Sequence, residues 1–559
     1  MKLNVIVPNL GKVVLTDREY VGSGGEASVY KKDKLAYKIY HDPAKMIPPD
    51  KIAELQKISA TNVSKPKGVI TGTNNKPIGY VMDFRPNTHP ICKLFTKSFK
   101  KQNKIDEQTV MNLVKKIQQT VSTIHGDGCL VVDLNEMNIL CSSGFKIPYF
   151  IDVDSYQTPS YKATAIMDSI RDRLVKNNQF TELSDWFSFA IIAFQLYIGI
   201  HPYRGKHPSY KSNEWNKRMD DGISVFDKDV KIPSVCNDFS VIPKAHLDWF
   251  KSIFAKNDRS LPPMVQQVAV VQIPQAFTLI DANAHFKTKI TQRHKDTILL
   301  VRNFMGVNYI VGAHGIYKED DKLPIHADGQ AIELCESSDM TPVISKFKDD
   351  MVTFESSKGE SLGEINSLGM MYRNGAIYTA YKGNLVENTF ARLGTKMIHK
   401  TRMACNVLDN TTKFFDGVIF QDLIGKWYVT LPYEIGRCAL MPVPELEGYR
   451  ILEAKSESNI CVVIASKRGK YDRFVMAFND DFTQYTIRKA ADIPYSSVNF
   501  TVLPNGVCIL CTEMGVEVFK DDKVKVLADP PFDDSMLLYN YSGAVYYVDD
   551  KKIVSAHMK

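Results

Sequence analysis

The chain has 559 residues, 44% hydrophobic and 24% charged, which is more than one hydrophobic core usually serves and excludes a disordered chain. Its formal charge of +7 comes from 70 basic and 63 acidic residues, too evenly mixed for a nucleic-acid or membrane footprint, so neither partner is expected. The ten scattered cysteines suggest neither a zinc site nor a disulfide framework and fit a reducing cytoplasm.

The N-terminal apolar run is broken by Asn4, Pro8 and Asn9 and lacks the apolar region of a signal peptide. From Tyr20 to about Leu140 the pattern opens with short β-rich pieces, GEASVYKKD, LAYKIYHD and PIGYVMDF, bounded by turn residues. Between Lys51 and Ser59, apolar Ile52, Leu55 and Ile58 recur at helical spacing, with Glu54 on a more polar flank. After Asn103 the apolar positions Val110, Leu113, Val114, Ile117, Val121 and Ile124 draw one continuous stripe, which predicts a long core helix. Leu183 to Ile198 is apolar nearly all round and predicts an enclosed helix; the stretch Trp186 to Ile200 is shorter than the roughly 20 residues a membrane span needs. A further helix is expected over His246 to Phe254. Beyond Pro262 short strands and turns dominate. A strand entering an acidic turn recurs at Gly315 (GIYKEDDK), Gly515 (GVEVFKDDK) and Gly543 (GAVYYVDDKK), and more loosely near Ala477 (AFNDD). These hairpins predict an all-β domain, with six or seven blades of roughly 40–45 residues as a β-propeller, or else a sandwich or two smaller β-domains.

The first half also carries, in order, the parts that phosphoryl transfer from ATP requires. Gly22-Ser23-Gly24-Gly25-Glu26-Ala27-Ser28-Val29 is a Gly-rich turn between strands, where backbone N–H groups can approach phosphate oxygens. Lys38 shares one strand face with Ala36 and Tyr40, and an inward lysine needs an anion; Glu54 on the next helix is the expected holder. His125 to Leu140 (HGDGCLVVDLNEMNIL) follows the long helix and holds Asp133 and Asn138 five apart. Tyr149 to Asp154 (YFIDVD) then puts Asp152 at the end of an apolar strand as a hard oxygen ligand, with Asp154 as the fallback.

With these segments in place, residues from about 18 to 262 resemble the protein-kinase fold in a divergent form similar to Ser/Thr kinases of bacteria and their phages. The resemblance implies an α+β bilobal fold over 1–265, with an N-lobe to about 86 and a C-lobe from 87, followed by the all-β domain over 266–559. It implies ATP and Mg²⁺ as cofactors, with Asp133 as catalytic base, Lys38 on the α/β-phosphates, and Asn138 and Asp152 on the metal. Gly22, Gly24, Gly25 and Val29 would line the nucleotide, Glu54 would hold Lys38, and YVMDFRP would supply hinge backbone groups at about Asp83 and Phe84. Asp185, in SDWFSFAIIAFQLYIGIHPYRG, would anchor the catalytic loop, and Arg259 matches a late structural arginine. The sequence departs from the family at four places: Val131 and Val132 replace His-Arg before Asp133, Asn135 stands where a lysine is usual, Asp-Val-Asp replaces Asp-Phe-Gly, and no Ala-Pro-Glu segment is recognisable. Three functions follow: a cytoplasmic Ser/Thr-type protein kinase, in the host cytoplasm if phage-encoded, whose β-domain recruits a protein substrate or partner; a catalytically dead kinase fold serving as a scaffold; and, less favoured because the HPYRG segment and central helix resemble protein kinases, an aminoglycoside-type small-molecule phosphotransferase. Trp427 and Tyr428 are candidate contacts of the β-domain, with ordinary strand core as the preferred reading.

Overall fold

The structure, a computed structural model, describes residues 2–163, 166–263, 286–434, 436–513, 515–520, 523–527 and 530–558. The expected domain boundary at 265/266 lies outside the described residues. Among those residues every α-helix precedes Lys256 and regular structure from Phe286 onward is strand but for one short 3₁₀ turn. No described helix is long and apolar enough to cross a membrane.

The N-terminal lobe is one antiparallel sheet of seven strands: β1 (Lys2–Val7), β2 (Gly11–Thr16), β3 (Tyr20–Ser23), β4 (Ala27–Lys32), β5 (Leu35–Tyr40), β6 (Gly68–Gly72) and β7 (Pro77–Asp83), in the order β2-β1-β6-β7-β5-β4-β3. The sheet is larger than its pattern from Tyr20 suggests. The hairpin β1–β2 pairs Val5 with Val13 and joins the edge of β6 through Val5 and Gly72, burying Val5, Val7 and Leu15 under the sheet. Helix α1 (Pro49–Gln56) starts at a proline, whose fixed φ and missing N–H suit a first helical turn. It buries Ile52 and Leu55, as the spacing predicts.

In the C-terminal lobe, α2 (Lys97–Gln102) precedes α3 (Glu107–Gly126), which opens on Asp106, whose carboxylate accepts the Thr109 amide at 2.7 Å. The predicted apolar stripe of α3 is fully buried. It packs on α4 (Glu182–Ile198), which is enclosed along nearly its whole length. Helix α4 stops at Gly199 (φ 92°), where a Cβ would lie 2.6 Å from the Phe95 carbonyl oxygen, so a glycine both ends the helix and admits the neighbouring chain. The lobe is completed by α5 (Trp215–Asp220) and α6 (Lys244–Ala255). Arg259 makes two bonds of 2.7 Å to the buried carboxylate of Asp172 and stacks 4.4 Å from the Phe187 ring centroid. This pair ties the end of the lobe to the segment before α4, where no Ala-Pro-Glu is legible.

Three short strands, Thr88–Pro90, Ile139–Ser142 and Pro148–Phe150, pair in one small antiparallel sheet of the C-terminal lobe, and from Phe286 onward the described strands form seven four-stranded antiparallel sheets. Six are consecutive meanders over 298–322, 331–366, 370–406, 412–442, 450–493 and 500–527; the seventh joins Phe286–Arg293 to the strands over 537–558. Each sheet shares an apolar layer with the next, and the seventh with the first, where Val548 and Ile553 meet Ile298 and Ile310. The signatures at Gly315 and near Ala477 fall where a third strand leads into a fourth, and GVEVFKDDK spans the same pair of strands in its sheet with Asp521 and Asp522 outside the described residues, whereas GAVYYVDDKK joins the second strand of the closing sheet to its third. Cys508 and Cys511 stand as Cys-Ile-Leu-Cys, but a strand sends residues three apart to opposite faces, and the two thiols are buried in different apolar layers. Trp427 is 5% exposed and donates to the Tyr449 carbonyl at 2.9 Å, so it belongs to a sheet core rather than to a contact surface. Leu452, Ile464, Tyr471, Ile493 and Tyr495 of the β-domain share one apolar core with the C-terminal lobe.

Replacing Arg259 with leucine strands the buried Asp172 carboxylate. Urea denaturation is expected to show a loss of about 3 kcal/mol; a loss below about 0.5 kcal/mol would show that the pair does not hold the lobe.

Candidate active site

The loop after α3 is fixed from beneath by Asp185, in the first turn of α4. Its Oδ2 accepts the Val131 amide at 2.7 Å, its Oδ1 accepts the Val132 amide at 2.9 Å, and His125 Nε2 lies 2.9 Å from Oδ2. Val132 has φ 60°, a left-handed conformation that a β-branched residue adopts only when its surroundings impose it, at a cost of about 1–3 kcal/mol. The two bonds from Asp185 hold that strained peptide, and the next residue, Asp133, is thereby aimed into the cleft between the lobes.

Asp133 Oδ1 accepts the Met167 amide at 2.8 Å and its Oδ2 accepts Asn138 Nδ2 at 3.2 Å. Burial raises the Asp133 carboxyl above the ordinary aspartate value, against those hydrogen bonds. Asn138 uses its Nδ2 within the loop, and among the described residues no donor occupies its Oδ1. Asn135 is 1% exposed, and its Oδ1 accepts the amides of Met137 and Asn138 at 2.8 and 3.0 Å. A lysine could not accept these bonds, so Asn135 shapes the loop instead of reaching toward a ligand.

Across the cleft, Lys38 Nζ lies 2.6 Å from both Asp152 Oδ1 and Asp154 Oδ2. Tyr40 Oη donates to Asp154 Oδ2 at 2.6 Å and Tyr80 Oη to its Oδ1 at 3.3 Å. Burial works against the Lys38 ammonium, but Tyr80, Asp152 and Asp154 outweigh it and hold its pKa well above the usual lysine value. The two carboxyls part in opposite directions. Burial raises Asp152, with Lys38 opposing and Asp154 adding to the rise; in Asp154 the same burial is overcome by Lys38 and by hydrogen bonds, so it stays ionised. Asp152 sits at φ 60°, ψ 44° with a side chain 48% exposed, which turns one carboxylate toward the open cleft.

Two expected roles are corrected by this geometry. Glu54 does not hold Lys38: it faces outward and accepts the Ser160 amide at 3.3 Å. The inward position on α1 is one turn earlier, where Lys51 is buried and donates to the Asp154 carbonyl at 2.7 Å, so the acid that meets Lys38 comes from the strand end at 152–154. Phe84 was expected to offer its backbone to a nucleotide base, yet its amide donates to the Lys34 carbonyl at 3.0 Å. Among the described residues the Arg85 amide, just beyond it, has no hydrogen-bond partner. Asp83 ends β7, and its carboxylate pairs with Lys67 at 2.6 Å. Gly22 pairs with Val29 across the β3–β4 hairpin, and the tight turn is closed by the Gly24 amide on the Ala27 carbonyl at 2.8 Å. A Cβ at Gly25 would meet nothing within 4 Å, so the turn presents open backbone.

The roles of Asp154, Lys51 and Tyr80 escape sequence reading. The one available signal was the alternation in LAYKIY, which places Tyr40 on the face of Lys38.

Residues 16–260 match the family model of the protein kinase domain. This supports placing that part of the chain in the protein kinase superfamily. No curated protein matches the chain. The matched span covers the seven-stranded sheet except for β1 and most of β2, together with all six helices of the kinase domain.

Since Lys38 opposes the rise of Asp152, removing its charge in Lys38→Met is expected to move that carboxyl further up. Carbon-detected NMR titration of aspartate carboxyls should show one high-lying midpoint shift upward by a unit or more, on the order of 1.4 kcal/mol; a downward shift or none would contradict the pairing.

Proposed function

We propose that the chain is an ATP- and Mg²⁺-dependent protein kinase that transfers the γ-phosphate to Ser or Thr hydroxyls, and that its seven sheets are the blades of a β-propeller that recruits a protein substrate or partner. The observation that carries this reading is the convergence of Asp133, Asn138, Asp152 and Lys38 on one cleft, with Asp133 anchored through Val132 by Asp185.

The donor set fits a magnesium ion: Asn138 Oδ1 and an exposed Asp152 carboxylate are hard oxygens that, among the described residues, have no competing donor other than Lys38. A metal ion held there would offset the negative charge of the phosphate oxygens during transfer. Lys38 would leave Asp152 for the nucleotide's oxygens while keeping Asp154, so its charge is never without a carboxylate. Asp133 would orient the attacking hydroxyl through Oδ2 and accept its proton, a task suited to a carboxyl whose basicity is increased by burial. Both Val131 and Val132 are buried, so the loop offers no arginine to receive a phosphate on the segment before α4, and control by phosphorylation of that segment is not expected.

The propeller reading rests on the closing sheet, in which a strand from the beginning of the β-domain completes the last sheet and leaves the ring without a free end. With no disulfide among ten free cysteines, a reducing cytoplasm is the proposed location.

Incubation with γ-labelled ATP, Mg²⁺ and a mixed protein substrate is expected to give label on Ser or Thr. Asp133→Ala should lower the rate about 10²-fold or more, and Asp152→Ala should abolish it. No transfer by the unaltered protein would favour the scaffold reading; label on Tyr or on small molecules would overturn the substrate class.

A further inference from the structure

One hairpin of the β-domain touches both chain segments that flank Asp133. The strands Ile460–Lys467 and Lys470–Phe478 are joined by the tight turn at Arg468 and Gly469, both at positive φ. Just past that turn, Tyr471 Oη donates to Glu136 Oε1 at 2.5 Å. Glu136 lies between Asp133 and Asn138 in the loop itself and is 3% exposed. On the other side, the Met167 side chain lies against Gly469 so closely that a Cβ there would come within 2.3 Å of its sulfur. Met167 is the residue whose amide is bonded to Asp133 Oδ1.

The two contacts reach Asp133 by separate routes, one through the loop that carries it and one through the amide that caps it. Neighbouring bonds keep the hairpin in place. Arg204 of the C-terminal lobe bonds Asp492 at 2.7 Å and stacks on Trp215, whose indole N–H reaches the same carboxylate at 3.2 Å. Lys93 pairs with Glu453 at 3.2 Å, and Tyr495 donates to that glutamate at 3.1 Å. Glu136, Tyr471, His201 and Arg204 line one small cavity of about 30 Å³, room for about one or two waters. A buried carboxylate in a loop needs a donor to stay ordered, and this loop draws its donor from the second domain.

We infer that Tyr471 is a positioning residue for the candidate base: through Glu136, with Gly469 seating Met167, the β-domain holds the loop 133–138 in its working geometry and forms part of the catalytic unit. The inference rests on the kinase reading for its effect on rate, but the brace itself is a physical contact that can be measured without activity. It also gives the β-domain a means of control, since a partner that shifts this hairpin would shift the loop that bears Asp133.

The test uses the full chain with Tyr471→Phe, which removes one oxygen atom. Its kcat is expected to fall about 10-fold or more with KM for ATP within about twofold of the unaltered protein. In a Glu136→Ala background the same substitution should have little further effect. Hydrogen exchange should rise over 131–139 in Tyr471→Phe and stay unchanged over β3 to β5. An unchanged kcat, or effects of the two substitutions that simply multiply, would overturn the inference. If the unaltered protein transfers no phosphate, the kinase reading fails and exchange alone decides the brace: faster exchange over 131–139 supports it, and unchanged exchange overturns it.

Discussion

At the centre of the contact between the lobes a buried cation is held by two carboxylates. Lys38 stands on the sheet of the N-terminal lobe, Asp152 and Asp154 at the 3₁₀ turn Val153–Ser155 of the other, and contacts of 2.6 Å run between them across the cleft. Such a cluster is costly to bury unless each charge is paired and each remaining lone pair is bonded. Here the hydroxyls of Tyr40 and Tyr80 take up the oxygens of Asp154, and Lys51 takes its carbonyl. What remains under-bonded is Asp152, the carboxylate that turns toward the cleft in a left-handed backbone conformation. The asymmetry between the two acids is what makes the site usable: one is committed to the lysine, and the other can release it.

The opposite wall is rigid for a different reason. Asp185 is wholly buried in an enclosed helix and grips two consecutive amides of the loop, one of them on a strained valine. Strain of this kind persists only when a well-packed support over-determines it, and the apolar core that supplies the support runs from α3 and α4 into the β-domain. The two parts of the chain therefore share packing as well as a covalent link, and the loop carrying Asp133 sits where that shared core reaches the cleft.

Much of this was legible in the sequence because order and spacing survive where individual motifs do not. The stripe on α3, the enclosed α4 and the succession of Gly-rich turn, Lys38, Asp133, Asn138 and Asp152 each follow from local pattern, and the recurring acidic turns mark real hairpins of the β-domain. The failures arose where tertiary placement decides. Glu54 and Lys51 lie one helical turn apart on α1, and the pattern cannot say which of the two meets the interior. The Phe84 amide is taken by Lys34, a neighbour across the sheet. No sequence pattern singles out Asp172, and only its bonds to Arg259 reveal its part in the lobe. The hairpin β1–β2 was passed over because its strands are short and broken by polar residues, although Val5 and Leu15 are fully buried. Likewise Tyr471 and Glu136 are 335 residues apart, beyond the reach of any periodicity.

The central claim is that Lys38 exchanges Asp152 for the oxygens of a nucleotide. Calorimetric titration of the 559-residue chain with ATP in the presence of Mg²⁺, beside Lys38→Met, tests it most directly. The account predicts saturable binding that needs the metal and is weakened at least about 10-fold by the substitution, a difference on the order of 1.4 kcal/mol. Binding of equal strength in the two proteins, or no binding by the unaltered chain, would contradict it.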